Sequence, residues 1–420
     1  MTTIHMLLTV ALHHGWPVTQ LDVANAFLHG DLADEVYMKQ PRGFLDSQHP
    51  QYVCKLRKSI YGLKQSPRQW FHKLTHSLQQ IGFTFSQSDP SLLLFHQSNA
   101  RVFVLIYVDD ILVTGNDSSH IQRTLSHLKS QFSLKQLGDV LLFLSIQVIK
   151  TTYGYFLNQT HYTNDLISTA GFSNCKPATS PARPKSKIPP DEKVFADPCL
   201  FRKLAGSLQY LSITRPDISF AINSICQHMH QPRNCDYLAL KRLLRYIKGT
   251  AAFGLPITRG SLTLRSYSDA DWAADPAERK SISGVCTFLG STLISWSVKK
   301  QTTVARSSIE AEYRSLAVAI MEVLWLRRLA LDFSIPQNNA TTIHCDNTSA
   351  IALANNPVLH ARTKHIEIDH HFIRHHITHG NIKIAHICSS DQIADILTKS
   401  LPVNRFNYLC SKLTICSQNG

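Results

Sequence analysis

The chain has 420 residues, longer than one hydrophobic core usually serves, and its 44% hydrophobic against 17% charged residues exclude an intrinsically disordered chain. Lys and Arg outnumber Asp and Glu by 43 to 29, and the resulting net charge of +14 favours a polyanionic partner, either nucleic acid or an anionic membrane surface. Ten cysteines without a CxxC pair argue against a zinc ribbon or a disulfide framework and for reduced thiols inside a cell. No stretch is long enough to span a bilayer, and the apolar start Met1–Leu12 lacks the basic flank and cleavage site of a signal peptide.

Taken in chain order, apolar runs at Val102–Val108 and Ile111–Thr114 flank an Asp-Asp step and predict a hairpin, with a helix from His120 to Phe132 after it. Residues 174–193 turn rich in Pro, Ser and Lys, which predicts an exposed linker. Phe201 to Gly249 reads as almost wholly helical, and its last part sets Lys241, Arg242, Arg245 and Lys248 among leucines. A basic helix of this kind tracks phosphates or simply forms a solvated face. From Ser261 the order βββαβααβα is expected: strands at Leu262–Ser268, Gly284–Leu289 and Thr292–Ser297, a helix from Ser308 to about Leu331, and a strand at Thr342–Cys345. Helices after Asp346 and over Lys364–His376, a strand at Ile382–Ile387 and a helix near Asp391 complete it. The class is mixed, α+β followed by α/β, in several domains.

Metal-assisted phosphoryl transfer requires carboxylates converging on two divalent ions. YVDD at 107–110 presents two at a turn, although adjacent aspartates there are more often turn formers. QLDVANAFLHG at 20–30 and SIYGLKQSPR at 59–68 precede it, and together the three segments resemble copia-type reverse transcriptases, the polymerase region of LTR retrotransposon Pol polyproteins. That resemblance implies that Asp22, Asp109 and Asp110 bind the metals with help from the Val23 carbonyl. It implies that Phe27 lies under the deoxyribose as a steric gate, that Gln65 lines the nucleotide pocket, and that Lys64 and Arg68 offset phosphate charge. Ser145 stands where the family usually has glycine, which predicts crowding of a close backbone approach.

The segments YLSITRPD at 210–217 and LLRYIKGT at 243–250 also match the family, which makes Lys241, Arg242, Arg245 and Lys248 the expected phosphate contacts on a template–primer duplex. Beyond them, YSDADW at 267–272, SIEAEY at 308–313, HCDN at 344–347 and QIADIL at 392–397 resemble the ribonuclease H domain of the same elements. By that resemblance Asp269, Glu312, Asp346 and Asp395 are metal ligands, with Glu310, Asp271 and Asp391 as runners-up. His360, His365, His370, His371, His375, His376 and His379 raise a zinc site as an alternative, but RTKHIEID at 362–369 matches a family segment in which no zinc is implied.

The resemblance implies a reverse transcriptase palm with incomplete fingers (1–173), a linker (174–195) and a helical thumb- or connection-like region (196–260). A ribonuclease H-like domain (261–400) and a C-terminal tail (401–420) follow. Magnesium, or manganese in its place, is the expected cofactor. Template–primer of RNA and DNA, RNA–DNA hybrid and deoxynucleoside triphosphates are the expected partners, and no membrane is. The expected location is intracellular, in the cytoplasm within a virus-like particle, in the nucleus, or both. Only 21 residues precede Asp22, too few for family fingers strands that clamp the triphosphate, so impaired polymerase activity beside intact endonuclease chemistry is expected. The alternative is a catalytically inactive nucleic-acid-binding relic.

Overall fold

The computed structural model describes residues 1–183, 191–356 and 366–418, which divide into two units: residues 14–144, and residues 1–13 together with those from Ser145 onward. The first helix, α1 (Thr2–His14), belongs to the latter unit except for its last residue. All its residues from Thr3 to Ala11 are buried. His5 bonds through Nδ1 to the Ile294 carbonyl at 3.1 Å and stacks on Trp296. Burial pulls its imidazole down to about 4, so it sits there neutral.

In residues 14–144 the strands are β1 (Val18–Val23), β2 (Tyr37–Lys39), β3 (Val53–Lys55), β4 (Thr84–Phe85), β5 (Leu92–Gln97), β6 (Ala100–Tyr107), β7 (Asp110–Gly115), β8 (Leu134–Asp139) and β9 (Leu142–Phe143). The helices are α2 (Ser66–Gln80) and α3 (Ser118–Gln131). An antiparallel sheet runs β4-β5-β6-β7-β1-β8. Its core is apolar because β6 and β7 carry the buried runs Val102–Ile106 and Ile111–Val113. Trp70, Leu74 and Leu78 on α2 and Ile121, Leu125 and Leu128 on α3 recur every three or four positions and fill the same core. α3 begins two residues before the expected His120 because the Asp117 carboxylate caps it, accepting from the His120 N–H at 3.0 Å.

From Ser145 the chain continues through β10 (Ile146–Thr151), β11 (Gly154–Asn158), α4 (Thr160–Thr169), α5 (Pro198–Leu211), α6 (Ser219–Cys226), α7 (Asn234–Gly249) and β12 (Phe253–Thr258). The stretch expected to be almost wholly helical is broken at Pro216, where a short 3₁₀ turn intervenes, and again between α6 and α7. Next come β13 (Leu264–Asp271), β14 (Ile282–Leu289), β15 (Thr292–Lys300), α8 (Ser308–Asp332), β16 (Thr341–Cys345), α9 (Thr348–Asn355), α10 (Glu367–Thr378), β17 (Ile382–His386) and α11 (Asp395–Thr398). Their order is the one expected, although the first residues of the helix predicted from Lys364 lie outside the described residues. The sheet reads β15-β14-β13-β16-β17, antiparallel among its first three strands and parallel from β13 to β17.

Of the tail expected at 401–420, the described residues fold: α12 (Val403–Lys412) buries Phe406, Leu409 and Cys410 in the core that also holds Leu244 and Ile247 of α7. That core contains a buried polar knot. The Arg215 guanidinium forks onto both carboxylate oxygens of Asp217, at 2.9 and 2.7 Å, and donates to the Thr250 carbonyl and hydroxyl at 2.7 Å each. The Tyr246 hydroxyl donates to Asp217 at 2.7 Å. Strand β18 (Cys416–Ser417) then pairs with β12 in the order β18-β12-β11-β10. Ser145 is exposed with φ 56°, a left-handed backbone that costs an L-residue roughly 1–2 kcal/mol. A preference for glycine there follows from its dihedral rather than from crowding.

Candidate functional site

The Asp-Asp hairpin closes abruptly. Tyr107 pairs with Asp110 across β6 and β7, and Val108 takes φ 54°, unusual for a β-branched residue. The Trp70 indole, fixed in the core by α2, donates to the Val108 carbonyl at 2.6 Å and holds that turn. Register places Asp22 on β1 directly opposite Asp110 on β7, and the Val23 N–H donates to the Asp109 carbonyl at 3.0 Å. Burial raises Asp110 above its ordinary range, the Gln20 amide donating at 3.1 Å opposes that, and the charges of Asp109 and Asp22 add to it. Phe27 follows in a short 3₁₀ turn, half-buried, its ring 4.8 Å from that of Tyr61. Gln65 immediately precedes α2, half-buried, while Lys64 and Arg68 are exposed.

A second set of acids lies in the other unit. Asp269 is near the end of β13, Glu312 in the second turn of α8, Asp346 just after β16 and Asp395 at the start of α11. Among the described residues, two groupings of acid, cysteine or histidine side chains bring ligand atoms within 4.8 Å of one another: Asp269 with Asp346 and Asp395, and Glu312 with Cys345 and Asp346. Asp346 belongs to both. Parallel pairing of β13 with β16 brings the first and third acids to one sheet edge. Gly284 on β14 allows the fourth to approach: a Cβ there would lie 2.6 Å from Thr398 and 2.8 Å from Leu397, so only a bare backbone lets α11 rest on the sheet.

Fixed donors aim these carboxylates. The Ala270 N–H donates to Glu312 Oε1 at 3.2 Å, the Ser389 hydroxyl to Asp346 at 2.8 Å and the Thr398 hydroxyl to Asp269 Oδ2. Burial pushes both Asp269 and Glu312 above the ordinary carboxylate range; the Lys399 charge opposes this at Asp269, and the Asp269 charge reinforces it at Glu312. Burial also raises the Cys345 thiol, leaving it a neutral donor to Glu312 Oε2 at 3.8 Å. The runners-up stand differently. Glu310 pairs with Arg314 at 2.5 Å and accepts from the Arg306 N–H, and exposed Asp391 accepts from the Tyr408 hydroxyl. Asp271, half-buried, ends β13.

A pH effect follows. Carboxyl groups whose folded pKa is raised contribute full stability below their unfolded pKa and lose it as pH rises through the folded value. In a chelating buffer, the thermal midpoint of the wild type relative to Glu312→Gln is expected to fall as pH climbs through and beyond the ordinary carboxylate range. A difference between the two proteins that stays flat over that range would remove Glu312 from this role.

Lys399 and Arg405 were not among the expected site residues, yet both reach it. Lys399 Nζ lies 2.8 Å from Asp395 Oδ1 and 3.4 Å from Asp269 Oδ2, and Arg405 reaches Asp395 Oδ2 at 3.3 Å. On α7, by contrast, three of the four expected phosphate contacts are engaged within the chain. Arg242 donates to Ser180, Arg245 to the Lys176 carbonyl and Lys248 to the Cys175 carbonyl, at 2.8, 2.6 and 2.5 Å. Lys241 lies over the Tyr237 ring. The described parts of the expected linker are thus tied to this helix. His360 and His365 lie outside the described residues; His375 and His379 pack ring to ring at 4.0 Å.

Residues 1–184 match the family profile described as reverse transcriptase (RNA-dependent DNA polymerase). Over 416 residues, 99% of its length, the chain is 45% identical to the Retrovirus-related Pol polyprotein from transposon RE1 of Arabidopsis thaliana, covering 28% of that protein. It is 35% identical over 424 residues to the corresponding polyprotein from transposon TNT 1-94 of Nicotiana tabacum, covering 98% of this chain and 32% of that one. The chain thus spans less than a third of the length of these relatives. A crystal structure of RNase H1 from Halobacterium salinarum aligns with 32% of this chain and 94% of its own, at 14% identity and a TM-score of 0.24, too loose a superposition to establish a fold.

Proposed function

The chain belongs to the copia-type retrotransposon Pol family, within its reverse transcriptase region, and from that premise we propose that residues 261–400 cleave the RNA strand of RNA–DNA hybrids by two-metal phosphoryl transfer. The observation that carries this reading is the position of Asp346, whose ligand atom lies within 4.8 Å of Asp269 and Asp395 on one side and of Glu312 on the other. A carboxylate shared between two groupings would offer ligand atoms to more than one divalent ion.

The donor set fits magnesium, or manganese in its place: hard carboxylate oxygens from four separate elements, with the one thiol held protonated. Asp269, Glu312, Asp346 and Asp395 would hold the ions, which when bound supply a polarised phosphodiester and an activated water. The chain's own residues do the positioning. The Ala270 N–H and the Ser389 and Thr398 hydroxyls orient Glu312, Asp346 and Asp269 before any ion arrives. Burial of Asp269 and Glu312 keeps water from screening the site.

A second reading, RNA-directed DNA polymerase, is favoured by Asp22 facing Asp110 beside the strained Val108–Asp109 turn. In it Asp22, Asp109 and Asp110 hold magnesium with the Val23 carbonyl. Phe27 selects deoxynucleotides, and Lys64, Gln65 and Arg68 meet the incoming triphosphate. Lys241 remains the best-placed phosphate contact on α7, since Arg242, Arg245 and Lys248 must first release the segment 175–180. The palm is proposed at 1–173 and the nuclease at 261–400, on either side of the linker and helical region. No helix among the described residues is long and apolar enough to cross a membrane.

The test is a labelled RNA–DNA hybrid with purified chain in magnesium. Cutting of the RNA strand is expected, with loss on chelation, return with manganese, and no activity in Glu312→Gln. Activity that survives chelation would exclude the two-metal site, and binding of the hybrid with no cutting under any metal would identify an inactive relic.

A further inference from the structure

Lys399 and Arg405 both pair with the acids of the nuclease-like site, but they are held differently. Arg405 is anchored: its guanidinium donates to the carbonyls of Ser389, at 2.6 Å, and Ser390 as well as reaching Asp395 Oδ2 at 3.3 Å. Lys399 instead makes its ion pairs to Asp395 Oδ1 and Asp269 Oδ2, and its side chain remains 35% exposed, so its four-carbon stem has a path to solvent. The ammonium therefore sits on oxygens that a divalent ion bridging Asp269 and Asp395 would also need. Two cations cannot share those oxygens without strong repulsion in so buried a place.

We propose that Lys399 is a built-in counter-cation that competes with the divalent metal for Asp269 and Asp395, and that metal entry expels its ammonium while Arg405 stays. The arrangement provides for the exchange. When Lys399 swings out, Asp395 keeps Arg405 on Oδ2 and offers Oδ1, and Asp269 keeps the Thr398 hydroxyl on Oδ2. Lys399 is then a positioning residue rather than a metal ligand: it holds two buried carboxylates in place without an ion and sets how much metal is needed to displace it. This inference rests on the two-metal reading of the site.

The experiment titrates MnCl2 into the full chain and follows free Mn2+ by electron paramagnetic resonance, comparing wild type, Lys399→Met, Lys399→Arg and Asp346→Asn. Removing the competing charge is expected to tighten Mn2+ binding by roughly tenfold, the factor worth about 1.4 kcal/mol, while Lys399→Arg keeps the wild-type affinity or weakens it. Lys399→Gln, which retains a polar tip without the charge, replaces the Met variant if that protein fails to fold, and is expected to tighten binding by a similar factor. Unchanged or weaker binding in the neutral variants, with wild type binding and Asp346→Asn not, overturns the competition while leaving the metal site standing. Failure of the wild type to bind Mn2+ at all overturns both.

Discussion

Arg215→Ala is expected to destabilise the unit containing α5, α6 and α7 by about 3–5 kcal/mol, the usual consequence of leaving one member of a buried ion pair without the other. Arg215 is 1% exposed and Asp217 is 1% exposed, so the stranded carboxylate could not recruit water without opening the core. The guanidinium makes four hydrogen bonds, one of them to the Thr250 carbonyl at the end of α7, so the truncation frees a helix terminus as well. Urea unfolding measured on the full chain by the signal from this unit provides the check. The double variant Arg215→Met, Asp217→Leu separates the causes. If burial of an unpaired charge is what costs stability, the double variant recovers much of the loss; if the double variant is as unstable as Arg215→Ala, geometry rather than charge holds the knot together.

Asp346→Asn is expected to reduce hybrid cleavage by about a hundredfold to ten-thousandfold, corresponding to several kcal/mol of lost charge stabilisation at the transition state. The amide is close in shape to the carboxylate but neutral, and Asp346 is the acid common to both groupings. A comparable change at Asp391, which is exposed and accepts from the Tyr408 hydroxyl, should leave cleavage within a few-fold of wild type. Single-turnover cleavage rates under saturating hybrid decide the matter. Equal losses at Asp346 and Asp391 would show that the chemistry does not depend on the carboxylate shared by the two groupings.

Much of this was legible in the residues because strands and helices advertise themselves by periodicity. The uninterrupted apolar runs on either side of Asp109 and Asp110 required two-sided burial, and a two-residue turn between them was then unavoidable. Three acids of the second set, Asp269, Asp346 and Asp395, stand at or near an element end, and Glu312 follows in the second turn of α8. What stayed hidden depends on distance in the chain. Lys399 was within reach of reasoning, since it follows Asp395 by four residues, the spacing of a helical ion pair. Arg405 was not: α11 ends at Thr398 and a new helix starts only after Pro402, so no helical spacing links them, and only the packing of α12 on the core of α7 returns its guanidinium to the site. The engagement of Arg242, Arg245 and Lys248 was likewise invisible, because a Pro-rich segment carries no periodic signal to say that its carbonyls will lie along a basic helix.

The burial of α1 bears on how the chain reaches its native state. His5 finds its carbonyl partner 289 residues further on, at Ile294. At a synthesis rate of roughly 5–20 residues per second, α1 leaves the ribosome about 15 to 60 seconds before β15 exists to receive it. During that interval His5, buried in the native state beside Met6, Leu7 and Leu8, lacks its carbonyl partner and the Trp296 ring. Residues 14–144 have all the strands of their own sheet within one contiguous stretch and can complete it while the ribosome is still at work. The other unit must hold its first helix in waiting, with all the exposure to chaperones and to self-association that such a delay entails.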